Sequence, residues 1–412
     1  MNFIEEMRGR GLVAQVTHEP ELLDHVGTKR TAYIGFDPTA SSLHVGHLLP
    51  VMLLARWQQS GHRAIALMGG GTALVGDPTG KTSMRKMLTE EAIGQNIENF
   101  KKQVQDLVSF NSSDDGIILN NADWLCDLNY LDFLREIGSQ FSVNRMLGAE
   151  CFKSRMETGL SFLEFNYMLL QGYDFYHLSK TQNCTVQLGG DDQWSNMLAG
   201  MDLVRRMNQQ QVYCMTNPLL TTSEGKKMGK TEGGAVWLDP SLTPPYEYFQ
   251  YWRNVSDDMV GACLRYFTFL PMEEVQELEN LEGADINQAK QRLAYEATAI
   301  IHGDEEAKKA KEAATKLFST SGSQLSGGSE PEVVILASVF GSEMAVMDIL
   351  VEAKAAPSKG EARRLIKQGG VSIDGEKVVD INAKLARSDI DDQKGALIKK
   401  GKKHYYRLRI SD

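Results

Sequence analysis

The stretch "GFDPTASSLHVGHLLP", residues 35–50, sets two histidines three apart behind a strand-like run and a loop of Gly, Pro, Ser and Thr. The overlapping "TAYIGF" (31–36) reads as a buried strand, and "LHVGHLLPVMLLARWQQ" (43–59) reads as a helix stopped by Gly61. Outward from it the alternation continues. "RAIALMGGGTALVGD" (63–77), "GIILNNADW" (116–124), "TVQLGGDDQW" (185–194) and "QVYCMTNPLL" (211–220) each begin as strands, with helical stretches between them. That alternation predicts an α/β fold built on a Rossmann-like, doubly wound parallel sheet. Ligands in such sheets gather at the carboxyl ends of the strands, where "GFDPT", "GGGTALVGD", "NNADW" and "LGGDDQ" fall.

The pattern changes to helix alone over 243–318, then to "STSGSQLSGGSEPE" (319–332), a flexible-linker composition. Two short helices, a strand and a turn at Asp374–Gly375 follow. The expected division is a Rossmann-like part over 1–222, a loop and α-helical part over 223–318, a linker over 319–343, and a small α+β module over 344–412.

Of the 412 residues, 42% are apolar, enough for a sizeable core. No apolar run reaches about 18 residues, which argues against a membrane span. "MNFIEEMRGRGLV" lacks the apolar run of a secretory signal. The 5 cysteines, at 126, 151, 184, 214 and 263, are scattered without CxxC spacing. They point to a reducing, cytoplasmic setting and away from disulfides or a structural zinc. A net charge of −10 argues against general nucleic-acid binding. The charge is uneven, however: residues 346–412 hold 15 Lys/Arg against 10 Asp/Glu, leaving 29 against 44 elsewhere. A basic tail on an acidic body suggests a polyanion met locally, or else a solubility imbalance without functional meaning.

His44 and His47 are expected on one helical face at i, i+3, with Ser41 or Ser42 capping the helix. A helix N-terminus carries about half a positive charge and favours anions. Two imidazoles there suit a phosphate or a ribose oxygen, although an isolated HxxH is more often a pair of structural histidines. Pro50 removes one helical hydrogen bond and is expected to bend the helix. Late in the chain, "EGKKMGKTEGG" (224–234) mixes three lysines and a threonine with glycines. Such a loop can bring ammonium groups to phosphates, or be a solvated turn; it is not a P-loop.

Taken together, "HVGH" early and "KMGKT" late resemble the HIGH and KMSKS signatures of class I aminoacyl-tRNA synthetases, the second in the form tyrosyl-tRNA synthetases commonly use. The resemblance extends through "YIGFDPTASSLHVGHLLP", "GDPTGKTSMRK", "NNADWL", "FSVNRML", "SFLEFNYMLLQGYDF", "QLGGDDQWSN" and "EGGAVWLDPSLTPPYEYFQYW". The tail "PSKGEARRLIKQGGVSIDGEKV" looks like an S4 RNA-binding domain. The chain is thus similar to bacterial tyrosyl-tRNA synthetases over nearly its whole length. Ser161 and Glu164 form a capping box, and Tyr167, Gln171 and Asp174 follow at i, i+4, i+7 as one polar stripe facing either water or a pocket.

The resemblance makes that stripe the wall of an amino-acid pocket. It implies that Tyr33 and Asp174 hold a phenolic hydroxyl, that Asp77, Tyr167 and Gln171 hold an ammonium, and that Gln193 lies near a carboxylate. His44, His47 and Thr39 would act on the phosphates of ATP, with Lys227, Lys230 and Thr231 closing over pyrophosphate and Lys81 and Arg85 as further candidates. Gly35, Asp37, Gly46, Gly190, Asp192 and Lys230 would complete the ATP site, with Mg²⁺ accompanying ATP and no protein cage for the metal. tRNA(Tyr) would be met by Arg205 and Arg206 and by the tail's Lys359, Arg363, Arg364, Lys367, Lys402 and Lys403, the last two in a basic strand over 399–409. The resemblance also implies a homodimer, with "NYLDFLREIGSQFSVNRML" expected as an apolar interface helix. Two departures stand out. Ile34 replaces a cysteine that many relatives place after the pocket tyrosine, and Asp191 replaces the serine of GGSDQ, adding a negative charge beside an anionic substrate. A tryptophanyl enzyme and an RNA-binding protein that has lost the chemistry are the rival readings.

Overall fold

The computed structural model describes residues 2–79, 88–221, 228, 230–231, 234–319, 332–353, 355–391, 394–401 and 404–411, without the side chains at 154, 157, 158, 230, 231, 316–319 and 404. The chain forms two units, one of residues 1–243 and 251–301 and the other of 244–250 and 302–412.

The first unit is organised by a six-stranded sheet of β1 (Gln15–Val16), β2 (Thr31–Phe36), β3 (Arg63–Met68), β4 (Gly116–Asn120), β5 (Cys184–Gly190) and β6 (Tyr213–Asn217). Its order is β1-β6-β5-β2-β3-β4, parallel throughout except for β1, which runs antiparallel to β6 at the edge. β2, β3 and β5 are buried along nearly their whole length, as strands covered on both faces must be. Helices Val45–Gln59, Glu90–Gln105 and Trp194–Asn208 supply the β2–β3, β3–β4 and β5–β6 crossovers. The chain leaves β2 towards β3 and β4, then returns on the other side of β2 as β5 and β6. The β2/β5 boundary is therefore the topological switch point, where the loops diverge and a crevice opens.

Several expectations are corrected here. Tyr33 lies mid-strand in β2, opposite Ile65 and Gln187. The Val45–Gln59 helix is capped neither by Ser41 nor by Ser42. His44 is its N-cap, and the Ser42 hydroxyl instead donates to the Leu43 carbonyl. The helix runs unbroken through Pro50. Residues 129–147 form three short elements, Tyr130–Glu136, Gly138–Gln140 and Val143–Leu147, because Gly138 and the Gln140–Ser142 segment interrupt the helical run.

Lys230–Thr231 (β7) and Gly234–Ala235 (β8) pair as a small antiparallel ribbon. The expected helical segment follows, with Pro245–Arg253, Val260–Phe267, Met272–Glu279, Ile286–His302 and Asp304–Ser319 among its helices.

In the second unit, β9 (Glu332–Leu336) and the helical turn Ala337–Phe340 occupy residues expected as linker. β10 (Glu343–Ala345) pairs with β13 (Lys384–Ala386). A second sheet has the order β12-β11-β14-β15-β9, with β11 (Val371–Ile373), β12 (Glu376–Lys377), β14 (Ala396–Lys400) and β15 (His404–Ser411). Asp374 (φ 48°) and Gly375 (φ 91°) both take positive φ, the conformation a tight β11–β12 hairpin requires. Of the stretch expected as one basic strand, 399–400 end β14 and 404–409 belong to β15, both interior to this sheet, and Arg407 is buried. Ile349, Leu350, Ile366, Ile398 and Leu408 are central to the tail core.

Candidate active site

A cavity of about 340 Å³ opens at the switch point. Its walls come from the carboxyl ends of β2 (Tyr33 to Phe36, then Asp37), β5 (Gln187 to Gly190) and β6 (Asn217), together with Leu67 and Gly69 at β3. Thr39 lines it from the loop after β2, His44, Gly46 and His47 from the start of the Val45–Gln59 helix, Tyr167, Gln171 and Asp174 from the Tyr167–Thr181 helix, Asp77 from a loop, and Asp192 and Gln193 from the turn after β5. Met228, from the late glycine-rich loop, lines the same space.

The histidines are held by the helix start itself. His44 Nδ1 accepts from the Gly46 N–H at 2.9 Å, and His47 Nδ1 accepts from the His44 N–H at 3.2 Å. The rings stack with centroids 4.0 Å apart. With both Nδ1 atoms accepting, each neutral ring carries its proton on Nε2. Gly46 is needed for this: a Cβ there would sit 2.7 Å from His44 Cε1. The late loop is brought alongside through the backbone. Val45 N–H donates to Val236 O, Leu238 N–H donates to Leu43 O, and Met228 O lies 3.8 Å from where a Gly46 Cβ would be. Lys81, Arg85 and Lys227 lie outside the described residues, as do the side chains of Lys230 and Thr231.

Deeper in, the wall is a chain of hydrogen bonds. Asp174 is 3% exposed. Its Oδ1 accepts from Trp124 Nε1 at 2.8 Å and its Oδ2 from Asn121 Nδ2 at 2.9 Å. Burial pushes its carboxyl up to about 7, and the two donors pull the other way. The Tyr33 hydroxyl, 1% exposed, has no hydrogen-bond partner among the described residues, and neither has Gln171 Oε1. Burial, then the nearby Asp174 carboxylate, hold the Tyr33 phenol neutral. An unpaired buried hydroxyl costs free energy unless a ligand meets it. The cavity thus presents a carboxylate and an unsatisfied hydroxyl on its wall.

At the other end, Asp77 Oδ2 accepts from Gln193 Nε2 at 2.8 Å and Asp77 Oδ1 from Thr79 N–H at 2.9 Å. An α-amino acid carries its ammonium and carboxylate on one carbon, so an acceptor and an amide donor side by side match it. Asp37 accepts from the Tyr167 hydroxyl and the Thr72 hydroxyl, both at 2.8 Å, tying the β2 loop to the pocket wall. Ile34 is buried in the lining.

The arrangement brings together the expected Tyr33, Gly35, Asp37, Thr39, His44, Gly46, His47, Asp77, Tyr167, Gln171, Asp174, Gly190, Asp192 and Gln193. Sequence reasoning missed Asn121, Trp124, Thr72, Gln187 and Asn217. "NNADWL" stood out as a polar strand end and as part of the family resemblance, with no role for its individual residues. Its Asn and Trp become recognisable as carboxylate donors once Asp174, some 50 residues later, is folded against them.

The basic residues expected for RNA do not belong to the cavity lining formed by the described residues. Arg205 and Arg206 end the Trp194–Asn208 helix, where Arg206 donates to Gln140 O. In the second unit Lys359, Arg363, Arg364 and Lys367 are exposed on one helix, with Lys359 paired to Asp348 and Arg364 to Glu361. Lys402 and Lys403 lie outside the described residues.

Comparison with known proteins bears on this geometry. The family described as tRNA synthetases class I (W and Y) matches residues 27–319, and the tyrosine–tRNA ligase SYY-like C-terminal domain matches 332–408. A tyrosine–tRNA ligase from Clostridium botulinum is 57% identical over 99% of both chains, and one from Clostridium beijerinckii likewise. A C-terminally truncated mitochondrial tyrosyl-tRNA synthetase from Aspergillus nidulans superposes with a TM-score of 0.69 at 32% identity, covering 77% of this chain and 94% of that one. With the signature stretches folded onto one cavity and likeness running end to end, this chain belongs to the tyrosyl-tRNA synthetases of class I.

Proposed function

We propose that the chain activates L-tyrosine with ATP and transfers the tyrosyl group to the 3′ end of tRNA(Tyr). One observation carries this reading: the histidine-bearing helix start, the late loop's Met228 and the Tyr33–Asp174 pair all border a single cavity. In the first step a tyrosine carboxylate oxygen attacks the α-phosphorus. The bond to the β-phosphate bridging oxygen breaks, and pyrophosphate leaves with its electron pair. In the second step a terminal ribose hydroxyl attacks the acyl carbon, and AMP leaves. The nucleophile of the first step is already ionised, so catalysis rests on positioning and on meeting phosphate charge.

In this reading Asp174 and Tyr33 bind the phenol, Asp77, Tyr167 and Gln171 the ammonium, and Gln193 the carboxylate. His44, His47 and Thr39 meet the phosphates and ribose, as Lys81, Arg85, Lys227, Lys230 and Thr231 do from the two loops. Gly35, Gly46 and Gly190 let the nucleotide approach the backbone, Asp192 takes the ribose, and Asp37 holds the pocket wall. Mg²⁺ would come on the ATP phosphates and offset their charge. Phenylalanine would leave the buried Tyr33 hydroxyl without a partner and give Asp174 no phenolic donor, a costly mismatch. General experience with this enzyme class puts such rejection at about 10⁵-fold.

We further propose that residues 1–222 activate the amino acid, that 223–318 carry the closing loop and helical part, and that the tail beyond the linker binds tRNA through Lys359, Arg363, Arg364, Lys367, Lys402 and Lys403. Arg205 and Arg206 would meet the acceptor stem. Tyr130, Leu131, Val143, Met156 and Phe162 are each more than half exposed, and this apolar surface supports a homodimer. No helix among the described residues is long and apolar enough to cross a membrane, and a cytoplasmic setting suits a translation enzyme.

The test is amino-acid-dependent ATP–pyrophosphate exchange with all twenty amino acids. Exchange driven by tyrosine alone is expected, and exchange driven by tryptophan, or none, would overturn the reading. Removing residues 332–412 should spare exchange and abolish tRNA charging. Undiminished charging would take the tail out of the function.

A further inference from the structure

Asp191 sits in the turn that carries two cavity residues, yet its own carboxylate faces the other way. Gly190, Asp192 and Gln193 line the cavity, whereas Asp191 does not belong to the lining formed by the described residues. Its Oδ1 accepts from the Thr216 hydroxyl at 2.8 Å and from Gln15 Nε2 at 2.7 Å. The Thr216 hydroxyl in turn accepts from the Gln15 backbone N–H at 3.1 Å, closing a ring of three residues. Thr216 is fully buried on β6, paired with Gly189 of β5 on one side and Gln15 of β1 on the other. The carboxylate therefore joins three adjacent strands at their shared end. Gln15 precedes residue 27, where the family match begins.

We propose that Asp191 is a positioning residue for tyrosine activation, acting by tethering the Asp191–Gln193 turn to the N-terminal edge strand through Gln15 and Thr216. The extra negative charge is thus spent on the scaffold and not on the substrate. The link from tether to site is short. Asp191 opens the single 3₁₀ turn Asp191–Gln193, so its anchor fixes the direction in which the next two side chains leave the backbone. Gln193 is further held by Asn196 Nδ2 donating to its Oε1 at 3.1 Å, while it donates to Asp77. A side chain at 190 would push on Asp192, because a Cβ there would lie 2.9 Å from Asp192 Oδ1. Two bonds to one charged acceptor are the stronger kind, and small misplacements of binding groups are expensive in rate.

The inference rests on the activity proposed above, and steady-state exchange kinetics separate the two. Wild-type protein lacking tyrosine-dependent exchange would overturn both. With wild-type exchange in hand, Asp191→Ala should raise KM for ATP and for tyrosine together by about tenfold, as expected on freeing a turn held by two charge-assisted bonds. Asp191→Asn keeps an acceptor oxygen for both donors and should return both constants to within about threefold of wild type. Gln15→Ala, on a two-residue edge strand, should raise both by about threefold, and should add less than about twofold on top of Asp191→Ala, because the two act through one contact. A purely structural Asp191 would lower Tm and leave both constants of the folded enzyme unchanged, overturning the proposal. A charge acting on ATP would make Asp191→Ala and Asp191→Asn both tighten ATP binding, which would also overturn it. Should Asp191→Ala fail to fold, Gln15→Ala and Asp191→Asn carry the same comparison.

Discussion

Replacing Trp124 by Phe isolates the support of the pocket carboxylate. The indole N–H donates to Asp174 Oδ1 at 2.8 Å, while the ring stacks on His177 with centroids 4.3 Å apart and planes 14° from parallel. Phe keeps an aromatic face for the stack and deletes only the donor. A hydrogen bond to a charged group is worth about 1.5–3 kcal/mol, or about 10- to 100-fold in binding. Part of this is recovered, because the tyrosine hydroxyl can also donate to the freed oxygen. The expected rise in KM for tyrosine is therefore about tenfold at pH 7, with a smaller change in kcat. The pH dependence gives an independent signature. The donor favours the ionised carboxylate, whose pKa is already about 7 through burial. Losing the donor moves that value higher, so less carboxylate is present at pH 7 and tyrosine binding recovers as the pH is raised. The assay is tyrosine-dependent ATP–pyrophosphate exchange from pH 6 to pH 9, with about one pH step per profile point. A tyrosine KM within twofold of wild type and a profile that does not move towards alkali would refute the reasoning.

Tyr33→Phe removes a buried hydroxyl that has no partner among the described residues. It should lower discrimination between tyrosine and phenylalanine by about tenfold while leaving the thermal stability of the unliganded protein equal or higher, measured by competitive exchange and by calorimetry. Lys230→Ala should slow adenylate formation by about 100-fold with little change in tyrosine affinity, since its charge is proposed to act on phosphates; single-turnover kinetics against equilibrium dialysis would show it. Glu164→Gln breaks a buried bidentate pair with Arg155, both side chains under 5% exposed. It should cost about 3–5 kcal/mol in urea unfolding, because the guanidinium is left without its counter-charge.

The parallel sheet was legible because its signal is local: buried runs such as "TAYIGF" and "RAIALM", ended by "DPT" and by glycines respectively. The capping box at Ser161 and Glu164 was legible for the same reason, and the structure has both of its hydrogen bonds. What stayed hidden depends on residues far apart in the chain. Ser42 looked like a cap, but its hydroxyl accepts from Gln103 and from the Asp239 N–H, so His44 is left to cap the helix with its own ring. Residues 332–336 look like the end of a linker until β15 offers them a parallel partner. Trp124 and Asn121 acquire meaning only from Asp174, and Asp191 only from Gln15 and Thr216. The apolar run 129–147 was read as one helix because its composition is helical, but it breaks at Gly138 and the extended Phe141.

The most direct test is a crystal structure with a non-hydrolysable tyrosyl-adenylate analogue. The account predicts the phenolic oxygen within hydrogen-bond distance of both Asp174 and the Tyr33 hydroxyl, with the phosphate beside His44 and His47 in the same cavity. An analogue bound with its phenol elsewhere, or with its phosphate away from the histidines, would contradict it.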